Sequence, residues 1–431
     1  MFKIRAKDIV IIQIIYCLFG IQWLEFFGVS NIKVLVSDAL NILLFLMVVR
    51  SGSILSCHMR LARKSYNTTL LWILSIVIGL IFGVSLYNGA SGIILAIWDL
   101  RLFIRPLLLL AFCIIFLDVS DIEFFYKLFY KLQYLNIVLT LFQYYVQGYY
   151  MDSNGGIFAP VQGCNKYSNL FCCLMLAWSI ARYLKNKETL PRLIVCFGDL
   201  VVVALFAELK ILFIEMPIII LLVLVLSGRT KKKWSMIFVS IVAILIGFLI
   251  FSRLFPESFQ FVTDSELFMW YAYDMSYSNT AVSVNRLSGF DIINQYIIGA
   301  SFWVKLLGYG VGAGGKIPFM NIESDLYSQY SSLHYEQFTY AWMYIEIGYI
   351  GLALFFLIFV MMFFDLKHSN MKDEYNILSR LFCVMVIFFC FYDACWITEG
   401  TGFLQTLVLS FGFISLKKNM TQRMDKIYKK N

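Results

Sequence analysis

The sequence predicts an all-α polytopic integral membrane protein of about twelve transmembrane helices, interrupted once by a long polar loop. Three observations predict it. The 431 residues are 61% hydrophobic and 14% charged, with a mean hydropathy of +0.78. Soluble domains run at roughly 45–50% apolar and about 25% charged residues. Apolar stretches long enough for a hydrocarbon core of about 30 Å recur along the chain. Residues 256–337 are the one long polar break between them.

The stretches fall at 9–27, 33–49, 69–87, 98–117, 132–148, 166–184, 191–207, 210–227, 234–255, 338–364, 377–397 and 400–416. The first follows basic residues and lacks a small-residue cleavage site, so it reads as a retained helix and not a removed signal. The fourth is interrupted by Arg101, Arg105 and Pro106, and the twelfth starts beside Glu399 and Gly400. The resulting organisation is spans one to nine in 1–255, a large external loop in 256–337, spans ten to twelve in 338–416, and a basic tail in 417–431.

Lysine and arginine set the orientation, because short cytoplasmic loops collect them. With both ends inside, 26 of the 35 cations fall on the cytoplasmic side. The net charge of +8 therefore reflects placement about a bilayer and carries no signal for nucleic acid. Ten cysteines lie mostly in apolar runs, without metal-ligand spacing and without a disulfide framework.

Nine cations remain in the membrane or on its outer face: Lys33, Arg101, Arg105, Lys166, Lys210, Arg253, Arg286, Lys305 and Lys316. Charge at membrane depth is costly and marks function by default. Snorkelling to the headgroups accounts for Lys33 and Arg253 at helix ends. Arg105, well inside a span, and Lys210, in the tight outer turn Ala207–Lys210, are candidates for substrate binding.

The loop 256–337 holds eight acids and three bases. Leu287, Phe290, Ile293 and Ile297 recur at helical spacing, which predicts an amphipathic helix over 283–298 that stops at Gly299. Arg286 falls in its first turn, where a guanidinium either grips a phosphate or pairs with an acid such as Asp291. Gly310 to Lys316 matches the start of a nucleotide-binding P-loop, but Ile317 stands where Ser or Thr belongs and no strand–loop–helix context is present. What the run still offers an anion is backbone N–H groups. His334 is the one histidine expected outside, either a general base or a hydrogen-bonded structural residue. Tyrosines and tryptophans crowd this face, as sugar platforms or as the ordinary interfacial belt.

Taken in order, Val284-Asn-Arg286-Leu, Leu-Leu-Gly308-Tyr-Gly310-Val-Gly312, Leu333-His334-Tyr335 and Tyr344-Ile-Glu346-Ile-Gly348-Tyr-Ile-Gly351-Leu352 resemble the O-antigen ligase and polymerase (Wzy-type) superfamily. Gly156-Ile-Phe158 with Asn165, and the hairpin around Lys210, are similar to it too. The resemblance covers roughly residues 90–365. It implies a GT-C-like glycosyltransferase of the bacterial cytoplasmic membrane, without metal or other cofactor, acting on undecaprenyl-diphosphate-linked oligosaccharide at the outer face. By motif position it implies that Arg286 holds the diphosphate and His334 assists the acceptor hydroxyl, while Glu346 orients the loop exit. Arg101, Arg105, Lys166, Lys210 and Gly310 are further substrate-binding candidates. Ligases carry His-Asn where this chain has His334-Tyr335, which favours a polymerase that joins repeat units into O-antigen or capsular polysaccharide. A ligase or a lipid-linked oligosaccharide flippase is the alternative. A flippase needs two similar halves, and the long loop breaks that symmetry. Membrane lipid and a chain-length regulator protein are the partners this reading implies.

Overall fold

The computed structural model describes residues 5–29, 33–50, 92–228, 232–274, 282–369 and 372–428. The predicted span 69–87, Cys57, His58, Tyr277 and the cations Arg60, Arg63 and Lys64 lie outside them. Within them the protein is all-α apart from one short hairpin.

The long helices, in order, are α1 (Ala6–Phe26), α2 (Lys33–Arg50), α3 (Ile93–Phe116), α4 (Val119–Tyr145), α5 (Asn165–Leu184), α6 (Leu190–Phe206), α7 (Leu212–Leu226) and α8 (Lys233–Leu254). Then come the short α9 (Pro256–Thr263), α10 (Ser265–Met269), α11 (Gly289–Ile293) and α12 (Phe302–Leu307). The hairpin β1 (Lys316–Ile317) and β2 (Ile322–Glu323) is antiparallel and pairs Lys316 with Glu323. α13 (Asp325–Tyr330), α14 (Thr339–His368), α15 (Glu374–Tyr392) and α16 (Glu399–Tyr428) close the chain.

Every predicted span inside the described residues coincides with a helix. Among the described residues four helices, α1, α8, α14 and α15, are both long and apolar enough to cross a membrane. α3 and α4 meet at 117° and together make a fifth if counted as one broken span. The rest fall short for readable reasons. α7 has only 15 residues, and α2 carries Lys33, Asp38 and Arg50. The chain is thus a multi-pass, all-α membrane protein.

Two local expectations change. Residues 119–131, between two predicted spans, are helix and not loop, so Lys127 and Lys131 lie within α4. The cause is Asp118, which caps α4 reciprocally with Asp121 and starts the helix early. The helix expected from 283 starts only at Gly289, and Arg286 sits in the turn before it. Asn285 and Ser288 explain this, because short polar side chains offer the backbone a rival to helix. Asn285 Oδ1 accepts from the Arg286 N–H at 2.8 Å, and Ser288 Oγ accepts from the Asn285 N–H at 3.1 Å. The stop at Gly299 is as expected, with φ at 64°.

α5 forms the centre, buried from Tyr167 to Leu184 and packed against α6, α7 and α15. In the segment before it, residues 154–160 are also buried. Gly156 exchanges two hydrogen bonds with the Gln143 amide, at 2.8 and 2.9 Å. A Cβ at Gly156, whose φ is +55°, would lie 2.2 Å from Asn136 Oδ1. That close approach requires glycine.

Candidate functional site

The predicted site residues separate into three groups around one turn. That turn, 393–398, joins α15 to α16.

The first group is a basic patch. The turn bearing Arg286 is fastened to the loop exit by the Val284 N–H, which donates to the Leu333 carbonyl at 2.8 Å. This brings the Arg286 and His334 segments together. Tyr340 locks the same turn from α14: its hydroxyl donates to the Asn285 carbonyl at 3.0 Å and accepts from the Gly289 N–H at 3.0 Å. The Arg286 guanidinium lies over the Tyr392 ring at 4.9 Å, and its Nη1 donates to Asn285 Oδ1 at 3.1 Å. Asp291 is engaged by the Tyr273 hydroxyl.

Lys210, in the turn between α6 and α7, is held below the usual lysine range by burial. Glu208 opposes that shift and Arg286 adds to it. Asp393, first residue of the 393–398 turn, has its carboxyl pushed up by burial, against the pull of Lys166 and, more weakly, Arg286. Arg286, distant in sequence from both, thus acts on Lys210 and on Asp393, with Glu208 beside the first and Lys166 and Asp152 beside the second. His334 sits half-buried in a left-handed conformation, φ 57° and ψ 29°. Its neighbour Glu336 is raised by burial, an effect opposed by its own backbone N–H, His334 and Lys316.

The second group is an ion network. Arg105, 2% exposed, donates to Glu399 Oε1 at 2.6 Å and lies 3.9 Å from Asp38. Arg101 donates to Asp38 Oδ2 at 2.6 Å and stacks over Trp98 at 3.4 Å. Both are candidates for substrate binding from the sequence, and each is paired with a carboxylate of the chain.

The third group is the glycine run. The N–H groups expected to meet an anion meet α14 instead. Gly310 N–H donates to the Glu346 backbone carbonyl at 2.9 Å, and Tyr309 N–H to that of Ile345 at 2.8 Å. Gly312 and Gly314 N–H groups point at Glu346 Oε1, at 3.1 and 3.4 Å. What fills this cradle is the protein's own Glu346 carboxyl, fully buried. α14 breaks where the run crosses it: Gly348 has φ 62° and ψ −170°. A Cβ there would lie 2.4 Å from Leu306 backbone, and one at Gly308 2.3 Å from the Glu346 carbonyl.

Three participants were missed in the sequence: Asp393, Glu399 and Asp99. Asp99 is 2% exposed and its carboxyl neighbours that of Glu346. Charges inside apolar stretches were the available signal, and it was applied to cations only.

Between α3 and the hairpin lies a cleft of about 260 Å³, bordered by Asp99, Arg101, Lys316 and Glu399. Ile397 and Glu399 bring the 393–398 turn and the start of α16 to its wall. The basic patch and the cleft thus lie at opposite ends of one turn. Compared with known proteins, the chain matches no family model and no curated protein.

Proposed function

We propose that the protein is a repeat-unit polymerase, a metal-independent glycosyltransferase on the outer face of the bacterial cytoplasmic membrane. In this reading the described helices and the stretch 69–87 make twelve spans in a GT-C-like arrangement, with both ends cytoplasmic. The substrate is oligosaccharide linked to undecaprenyl diphosphate. The bond broken joins the anomeric carbon to the diphosphate, and the bond formed joins that carbon to a hydroxyl of the acceptor glycan. Diphosphate leaves readily once its charge is met by preorganised cations.

The observation that carries the reading is the Val284 N–H to Leu333 carbonyl hydrogen bond, which sets the Arg286 turn beside the His334 segment. Lys166 acts on Asp393 and Lys210 neighbours Arg286, and cations gathered there suit a diphosphate. His334 follows on the strand of backbone bonded to the arginine turn and takes the proton of the attacking hydroxyl. Glu346 is a positioning residue, since it holds the glycine run at Gly312 and Gly314.

Deletion of the gene followed by glycan analysis tests the reading. A polymerase loses the polymer while single repeat units still reach the lipid acceptor. Polymer stranded on the carrier would instead mean a ligase. Repeat units trapped on the inner leaflet would mean a flippase. Labelling of a cysteine at Ser278 from the cytoplasm alone would overturn the orientation.

A further inference from the structure

We propose that the cleft between α3 and the β1–β2 hairpin seats one sugar ring of the acceptor glycan, with Asp99 receiving its hydroxyl. The inference rests on the polymerase reading and extends it by separating the two substrates.

The walls are aromatic. Trp98 meets Phe319 edge-on at 5.1 Å and 63°, and Trp342 is fixed behind them by stacking on Phe103 at 4.9 Å. A pyranose presents an apolar face of C–H groups and a rim of hydroxyls. Aromatic side chains match the face, and a few fixed polar groups match the rim. Asp99 supplies the polar floor. Its Oδ2 is fully buried and no backbone N–H or hydroxyl of a described residue donates to it. Glu346, anchored by Gly312 and Gly314, holds the Asp99 carboxyl in place from behind. Gly315 allows the approach, because a Cβ there would lie 1.8 Å from Asp99 Oδ2.

Charge tells this cleft from the diphosphate patch. Its two cations are already engaged, Arg101 by Asp38 at 2.6 Å and Lys316 over the Tyr327 ring at 4.7 Å. Of the acids bordering it, Asp99, Glu336 and Glu399, the last is paired with Arg105 at 2.6 Å. With its cations engaged, such a lining offers little to a diphosphate and accepts neutral hydroxyls. The volume of about 260 Å³ suits one ring and not a repeat unit. Glu399 on this wall and Asp393 at the patch belong to the two ends of the same turn, so acceptor and donor would approach from either side of it.

The full chain in lipid nanodiscs tests this with two probes: repeat-unit oligosaccharide released from its carrier, and bare undecaprenyl diphosphate. Tryptophan fluorescence follows the first probe at Trp98 and Trp342. Phe319→Ala, at the half-buried hairpin turn, and Asp99→Asn are expected to weaken oligosaccharide binding about tenfold, the loss of one buried contact. Undecaprenyl diphosphate binding should stay within about twofold in both, and thermal unfolding of Phe319→Ala should match the parent. Arg286→Ala is expected to do the reverse. Oligosaccharide binding untouched by Phe319→Ala, or absent from the parent protein, overturns the cleft and leaves the polymerase reading standing. Diphosphate binding indifferent to Arg286→Ala overturns that reading, and oligosaccharide binding that still needs Phe319 then keeps the cleft.

Discussion

Arg105 and Arg286 are both arginines where a membrane protein carries few charges, yet their surroundings differ. Arg105 is 2% exposed and flanked by Glu399 at 2.6 Å and Asp38 at 3.9 Å. Arg286 is half-buried, rests on a tyrosine ring and an asparagine oxygen, and shares its field with Lys210. The first arrangement is electrically closed and fastens α2, α3 and α16 together. The second sets a guanidinium on an aromatic face beside another cation.

The comparison can be broken at several points. The largest effect is expected from Arg105→Ala, which leaves Glu399 without its guanidinium partner. Removing one partner of a buried pair costs about 3–5 kcal/mol, so the variant should be scarce in membranes, as measured by immunoblot and by thermal unfolding in detergent. Activity loss with normal abundance would move Arg105 into the reacting site. Arg286→Ala should do the opposite. Loss of one electrostatic stabiliser lowers turnover by about 100–1,000-fold, and repeat-unit ladders should collapse while protein level holds. His334→Ala should follow at about 100-fold or more, the lower range for general-base loss; full activity would remove His334 from the mechanism.

Gly348→Ala sharpens the role of the glycine crossing. Positive φ costs about 1–3 kcal/mol, and the Leu306 contact adds to it. Lower thermal stability is expected, with activity following abundance. The smallest effect concerns pH. Asp393 has a raised pKa, so it protonates earlier than a free carboxyl as pH falls and the patch grows more positive. Lys210 has a lowered pKa, so its charge is lost earlier as pH rises. Both make diphosphate affinity fall with rising pH. Asp393→Asn should flatten the acid limb by a few-fold, roughly the size of one partly screened charge pair, read by titrating undecaprenyl diphosphate against buffer pH. An unchanged profile would take Asp393 out of the patch.

Much of this was legible from the sequence because long apolar periodicity is a local property. The helices α5 and α15 and the stop at Gly299 followed from it. The turn at Arg286 was not, since Leu287, Phe290, Ile293 and Ile297 keep helical spacing through a segment that Asn285 and Ser288 hold out of helix. The glycine run was read as open to an anion. Its partner, Glu346, lies 34 residues from Gly312, and no local pattern announces that pairing. Arg101 and Arg105 were recognised as unusual, but their neutralisation depends on Asp38 and Glu399, which only tertiary structure brings near. Asp99 sits in an apolar helix and pairs with a second acid, a contact that sequence spacing does not encode.

The ion network also has a history in time. Asp38 precedes Arg101 by 63 residues, while Glu399 follows Arg105 by 294. A ribosome feeding this chain into the membrane delivers the arginines long before their second carboxylate exists. During that interval α3 has Asp38 alone to neutralise two guanidiniums. Lys417, from the same late helix as Glu399, later covers the open carbonyls of Ile114 and Leu117 at 2.9 and 2.8 Å. The helix made early is therefore finished by the helix made late, and a nascent chain halted before Glu399 carries an arginine pair that only its unmade remainder can quiet.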